Sequence, residues 1–252
     1  MNIAVVLYGQ PRDYIKGYNN IMAFIQKQSD CKFDFFYHTW KLNENEIYKH
    51  SPWRQLDNDT LIYNNNIINN LQELYNPILV EIENQNDITF DKSLYINTLA
   101  YNNTTEEAIF NNINNILFQM YSRNKARNLL QTYLNNHNNI YYDFVLFVRF
   151  DIGIMPELSF NELNKSNVYV SDLHCPRKVL PDNCIISPTK IFLEWFNIYD
   201  MLSDILNNEY LQQNISDLNE NFIINAESLI LAKYIYHYKN IDNISYFNGG
   251  LL

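Results

Sequence analysis

"YDFVLFVRFDIGIMPEL", residues 142–158, is the stretch on which the reading of this chain turns. Residues 144–148 are uninterrupted apolar side chains, the pattern of a strand covered on both faces. Arg149 and Asp151 then alternate onto one face of the strand, and Gly153 and Pro156 close the run. A buried ion pair adds little net stability and often costs some. A site that needs a cation beside a carboxylate gives the pair a second reason to be there.

Working outward, the segments around this strand alternate in character. "NIAVVLYG" at the N-terminus reads as a buried strand ended by Gly9, and "KFDFFYHTW" and "ILVEIE" as two more. Between them, "QPRDYIKGYNNIMAFIQKQ" predicts a helix with Pro11 in its first turn and Tyr14, Tyr18, Ile21 and Ile25 on one face. "LIYNNNIINNLQELYNP" predicts a helix stopped by Pro77. Thr104 with Glu107 forms a capping box. It opens a long helix in which Ile109, Ile113, Ile116 and Met120 keep helical spacing, and Leu130 and Leu134 resume it after a break near Asn124. After the opening stretch come a short strand "NVYVSD", an apolar strand-like "CIIS", a helix "PTKIFLEWFNIYDMLSDIL" started by Pro188, and a last helix "NAESLILAKYIYHY". Strands alternating with helices predict a mostly parallel, Rossmann-like α/β sheet flanked by helices. With no repeat and no Gly/Ser linker, residues 1–252 read as one domain.

Composition narrows the classes of function. With 252 residues, 47% of them apolar, the chain is long enough for one sizeable core. The net charge of −10 and the lack of any Lys/Arg block argue against nucleic-acid binding. The three cysteines, Cys31, Cys175 and Cys184, form no CxxC pair, which predicts a reducing, cytoplasmic setting. No signal peptide or membrane-spanning run is expected. Asn makes up about one residue in six, in runs such as "YNNNIINN" and "FNNINNI". Apolar spacing persists through these runs, so they are read as compositional bias within helices rather than as disorder.

In a parallel sheet, ligands bind beyond the carboxyl ends of the strands. Three strand ends here carry polar groups: Gly9-Gln10-Pro11-Arg12, His38-Thr39-Trp40 and Arg149-Phe150-Asp151. Together they offer an arginine for phosphate, aromatic surface for a base or sugar, and a carboxylate for a metal. Each also has a plain alternative. Gly9 and Gln10 suit turn chemistry, Trp40 a core position, His38 a hydrogen-bonded structural role, and Arg149 with Asp151 a simple ion pair. Asp172, His174, Cys175 and Cys184 lie close in sequence, at spacings poor for zinc.

Several of these segments resemble one family. "NNILFQMYSRNKARNLLQTYLNNHNNIYYDFVLFVRFDI" is similar to a pattern of bacterial and giant-virus glycosyltransferases of the GT-A type. In that pattern a helix of the form FYxxxKANxL leads into YDxVIRxRFDL. "VLYGQPR" resembles the family's SGQPR opening, and "FDFFYHTW" its DVFIHTW strand. The resemblance implies a GT-A-like fold with a nucleotide-binding part over about 1–151 and an acceptor-side part over about 152–252. It implies transfer of a sugar from a UDP- or GDP-sugar donor to a glycan or other hydroxyl acceptor. Gly9, Gln10, Arg12, His38, Trp40 and Arg149 would line the donor. Asp151 would hold a divalent cation, Mn²⁺ or Mg²⁺, although the family's second acidic residue is replaced by Gly153. Asp182 and Glu227 are the candidates for the carboxylate facing the acceptor. The alternative is a degenerate transferase fold that binds a glycan or a protein. A nucleotidyltransferase is disfavoured because neither GxGxxG nor GxxxxGK[ST] appears.

Overall fold

The computed structural model describes residues 1–48, 62–91, 106–171, 180–206 and 226–247, with backbone alone at 106–113 and 206. The Thr104 capping box and the cluster of Asp172, His174 and Cys175 lie outside these residues.

The described residues form one seven-stranded sheet. In chain order the elements are β1 (Asn2–Gly9), α1 (Tyr14–Gln26), β2 (Lys32–Lys41), α2 (Asn65–Tyr75), β3 (Leu79–Asn84), α3 (Glu106–Asn136) and β4 (Phe144–Arg149). They continue with β5 (Val168–Ser171), β6 (Cys184–Pro188), α4 (Thr189–Trp195), α5 (Leu202–Leu206), α6 (Ala226–Tyr238) and β7 (Ile244–Phe247). The sheet order is β3-β2-β1-β4-β6-β5-β7. The first four of these strands are mutually parallel, whereas β6 runs antiparallel to both β4 and β5, and β7 pairs parallel with β5.

The core has two layers because β1 and β4 are covered on both faces. Ile3, Val5 and Leu7 face α1 and α2 along with Phe144, Leu146 and Val148. Ala4, Val6 and Tyr8 face the α3 side along with Val145 and Phe147. The chain moves outward from β1 through β2 to β3, then crosses back to lay β4 on the other side of β1. The carboxyl ends of β1 and β4 therefore border the point where strand order reverses, the usual place for a ligand crevice.

Four local expectations differ from the structure. Pro11 precedes α1 rather than sitting in its first turn. Asp13 takes a left-handed φ of 48° and separates the proline from the helix. The buried face of α1 is Tyr14, Gly17, Ile21 and Phe24, a stripe centred on a glycine. Helix α3 runs unbroken through Asn124, whose side-chain amide donates to Asp200 Oδ1 at 3.0 Å. The expected helix over 188–206 is instead two pieces with a 3₁₀ turn at Tyr199–Met201, because ψ of 20° at Phe196 leaves the helical range.

Gly17 is there for contact rather than conformation. A Cβ at this position would lie 1.7 Å from the carbonyl oxygen of Phe150. Helix α1 thus rests its backbone directly on the turn that follows β4. Asn20, one turn further on, donates to the carbonyls of Ile152 and Gly153 at 2.9 and 2.6 Å. The turn that carries Asp151 is held from beneath by one helix.

Candidate active site

The three polar strand ends lie level with one another. Tyr8 is in register with His38 on one side and with Arg149 on the other. Tyr8, His38, Trp40 and Arg149 all project to the α3 side of the sheet, but they meet two different environments.

On the β2–β3 side the groups are buried and matched. His38 is 0% exposed, with Nδ1 2.7 Å from Ser122 Oγ and Nε2 2.9 Å from Glu83 Oε2. Glu83 also accepts from Tyr121 at 3.0 Å, and Lys125 pairs with Glu81 at 2.6 Å. Burial holds the imidazole below its ordinary pKa, against the pull of Glu83. Trp40 is 1% exposed, stacked at 5.5 Å on Tyr121 and edge-on to Phe118. Neither residue offers an open face to a base. Their surroundings are those of a hydrogen-bonded structural histidine and a core tryptophan.

At the end of β1, Gly9 has a φ of 97°, a conformation that disfavours a side chain. Its N–H donates to Ser122 Oγ at 2.8 Å and its carbonyl accepts from Thr39 Oγ1 at 2.9 Å. Gln10 donates to Gln85 Oε1 at 2.6 Å, and Arg12 is half-buried in the turn before α1.

On the β4–β6 side the charges crowd. Arg149 holds Asp151 through both carboxylate oxygens, Nε to Oδ1 at 2.9 Å and Nη2 to Oδ2 at 2.8 Å. Strand β6 returns antiparallel to β4, Val148 opposite Cys184, and this brings Asp182 back beside the same guanidinium. Asp182 Oδ2 lies 3.5 Å from Arg149 Nη1 and 3.8 Å from Arg123 Nη2, and also accepts from Gln119. The Asp182 carbonyl accepts from the Tyr8 hydroxyl and from Arg123, and Arg123 donates to the Tyr8 hydroxyl at 2.7 Å. Arg123 is 1% exposed, and its Nε and Nη1 have no hydrogen-bond partner among the described residues. Glu227, in the first turn of α6, completes the group; its carbonyl accepts from the Leu180 N–H at 3.4 Å.

The electrostatics follow from this packing. Burial pushes the Asp182 carboxyl up, yet Arg149, Arg123 and Gln119 hold it below its ordinary value. Burial lowers the Arg149 pKa, and Asp151 and Asp182 more than reverse that, so the guanidinium stays charged. Glu227 gains least from the arginines. Burial first, and the Asp182 charge second, push its carboxyl up to about 7. The cluster thus contains one fixed arginine–carboxylate pair, one further ionised aspartate, and one carboxyl poised to exchange a proton near neutrality.

Of the sequence candidates, Arg149, Asp151, Asp182 and Glu227 come together. Gly9, Gln10 and Arg12 follow the neighbouring strand end, and His38 and Trp40 lie under α3. Tyr8, Gln119 and Arg123 were not among the candidates. For Arg123 the signal was the gap in the apolar stripe of α3, between Met120 and Leu130.

A resident divalent cation does not fit this donor set. Both oxygens of Asp151 face Arg149, and the described residues contain no group of three His, Cys, Asp or Glu arranged to hold a metal.

No protein-family model matches the chain, and no curated protein matches it. Among solved structures it is similar to an active-site mutant of LgtC, with a TM-score of 0.39 and 9% identity over 98% of this chain and 72% of that one. It is also similar to the galactosyltransferase LgtC in complex with donor and acceptor sugar analogues, with a TM-score of 0.36 and 9% identity over 98% and 73% of the two chains. Overlaps as loose as these carry no argument about activity. No described helix is long and apolar enough to cross a membrane.

Proposed function

We propose that the protein is a glycosyltransferase that moves a sugar from a UDP- or GDP-sugar to a hydroxyl of a glycan or similar acceptor. The observation that carries this reading is the charge cluster at the sheet's reversal point. There a buried arginine has two nitrogens without a partner and a carboxyl is pushed up to about 7. The motif resemblance at residues 6–12, 33–40 and 114–152 supports it from the sequence side.

In this reading the chain's own cations do the electrostatic work. Breaking the bond between sugar and diphosphate leaves added negative charge on the nucleotide, and Arg149 and Arg123 stand ready to meet it. At about 4 Å and an effective dielectric of ~20, one opposite charge is worth on the order of 4 kcal/mol. Felt fully in the transition state, that is roughly a thousandfold in rate. Asp151 acts as a positioning residue that holds the Arg149 fork. Asp182 stays ionised, and Glu227 accepts the proton of the acceptor hydroxyl. Gly9, Gln10 and Arg12 form the donor-side rim.

One observation favours a second reading. With both oxygens of Asp151 engaged by Arg149, the acidic motif is neutralised within the chain, as in a fold that binds glycans without turnover. A panel of UDP- and GDP-sugars, each with and without Mn²⁺ or Mg²⁺, separates the two by thermal stability and donor hydrolysis. The transferase reading expects one donor to stabilise the protein and be hydrolysed, with hydrolysis lost in Glu227→Gln and in Arg149→Met. A glycan that stabilises the fold while every nucleotide sugar leaves it unchanged would establish the binding-module reading instead.

A further inference from the structure

Away from this cluster, α3, α4 and α6 enclose an open cleft of about 360 Å³. Its walls include Arg127 of α3, Asn197 and Met201 from the chain after α4, and Lys233 and Tyr236 of α6. Helices α3 and α6 also carry Arg123 and Glu227, so the cleft and the candidate active site share two walls at different heights.

Lys233 is only 2% exposed. Among the described residues its ammonium has a hydrogen-bond partner in the Met201 thioether sulfur at 2.9 Å, a weak acceptor, and lies 5.5 Å from the centre of the Tyr236 ring. No carboxylate of the described residues pairs with it, and a second cation, Arg127, acts on it. Burial first, then Arg127, drives the Lys233 amine below its ordinary pKa. Arg127 is directed at neutral groups: its Nε and Nη2 meet the Leu193 carbonyl, and its Nη1 the Asn128 side chain at 2.8 Å. The acid on the rim, Glu194, faces His237 at 3.4 Å and Tyr238 at 3.3 Å instead. Across the cleft, Asn197 Oδ1 is buried with no donor. Among the described residues two cations thus line the cleft with no carboxylate paired to either; Asp200 acts on Arg127 without pairing with it, and Glu194 stands on the rim. Buried charges and buried acceptors left this way are costly unless something else matches them.

We propose that this cleft binds a small hydroxylated anion, a sugar phosphate or sugar acid, with its anionic oxygens on Lys233 and Arg127 and a hydroxyl donated to Asn197 Oδ1. The Tyr236 ring supplies a wall against which an apolar sugar face can pack.

The test is thermal stability and calorimetric titration of the full chain with inorganic phosphate, glucose 1-phosphate, glucuronate and neutral glucose. Glucose 1-phosphate or glucuronate is expected to stabilise the parent, ahead of inorganic phosphate, with glucose inert. The stronger of the two identifies the anionic group as phosphate or carboxylate. Lys233→Met should weaken that binding at least about tenfold and make the ligand-free protein more stable, because an unmatched ammonium is gone. Asn197→Asp places a carboxylate in the cleft and should abolish the ligand's effect by repulsion. This second variant keeps the idea testable if Lys233→Met folds poorly. Equal binding by the parent and either variant, or no response to any of the anions, would overturn the proposal.

Discussion

Two polar clusters sit on the same face of the same sheet, under the same helix, and they are built in opposite ways. The one at β2 and β3 is satisfied: His38, Ser122, Glu83, Tyr121, Lys125 and Glu81 alternate donors with acceptors. The one at β4 and β6 is crowded. Asp182 and Glu227 repel each other, and Arg123 keeps donors unmatched. A satisfied network makes a rigid strand end. A crowded one holds its charges at a cost, and an anionic ligand or a moving proton relieves it. The difference teaches that burial of polar groups at a strand end is not itself the mark of a site. What separates the two is the state of the accounts between donors and acceptors.

The sharpest way to break the comparison is to remove the one cation that the crowded cluster shares. In Arg149→Ala the Asp151 side chain, 2% exposed, loses both hydrogen bonds from the guanidinium, and Asp182 loses one of its two arginines. Removing one partner of a buried ion pair is expected to cost about 3–5 kcal/mol, read as a drop in the urea midpoint with the slope unchanged. Loss of donor hydrolysis should accompany it.

Next in size is the support beneath the cluster. Gly17→Ala sets a methyl 1.7 Å from the Phe150 carbonyl, so α1 must withdraw from the turn carrying Asp151. An overpacked contact of this kind is expected to cost about 2–3 kcal/mol. The β2–β3 network does not touch that turn. The indole N–H resonance of Trp40, assigned by comparison with Trp40→Phe, should therefore stay as in the parent while chemical unfolding shifts.

The pattern of what was legible in the sequence follows from the same contrast. Strands β1 and β4 are plain because each carries a continuous apolar run, and β2 and β3 because short segments rich in aromatic or aliphatic residues stand between turn residues; the ends at Gly9 and Arg149 are plain too. Strand β7 was missed because "ISYF" is too short to show a period. Within the site, Arg149, Asp151, Asp182 and Glu227 could be named because a charge next to an apolar run stands out. Their meeting could not be read, since it depends on β6 returning antiparallel and on α6 docking beside it. The gap in the α3 stripe at Ser122, Arg123 and Asn124 looked like a helix break. It is in fact where a continuous helix turns polar groups inward to meet Tyr8, His38 and Asp200. Trp40 misled in the other direction: an aromatic at a strand end is equally consistent with a stacking platform and with core. The Phe118 and Tyr121 rings that cover it lie about eighty residues further along the chain.

The two clusters should also answer pH with opposite signs. For Glu227 the folded protein holds the proton more tightly than the unfolded chain between the ordinary value of 4.5 and about 7. Stability attached to it is therefore full below that window and is lost as pH rises through it. Glu227→Gln removes the loss. At pH 8 the variant should exceed the parent by on the order of 2 kcal/mol, with little difference near pH 4. Urea unfolding at the two pH values measures it, and a variant no more stable than the parent at pH 8 would show that the carboxyl is not strained.

His38 provides the opposite and smaller effect. Its imidazole is buried and held below its ordinary 6.5, so the unfolded chain binds the extra proton first as pH falls. Stability attached to it is full above 6.5 and is lost on acidification. Glu83, Glu81 and Lys125 face the ring, and the two glutamates only partly offset the burial. His38→Gln keeps a donor and an acceptor but no titration, so the variant should lose on the order of 1 kcal/mol less than the parent between pH 7 and pH 5. In the parent the two slopes overlap between pH 5 and 7 and oppose each other, which makes the separate variants necessary. If both variants shifted the pH profile the same way, the two networks would be one coupled system through Ser122 and Arg123, adjacent on α3, and the contrast between a satisfied and a crowded cluster would have to be given up.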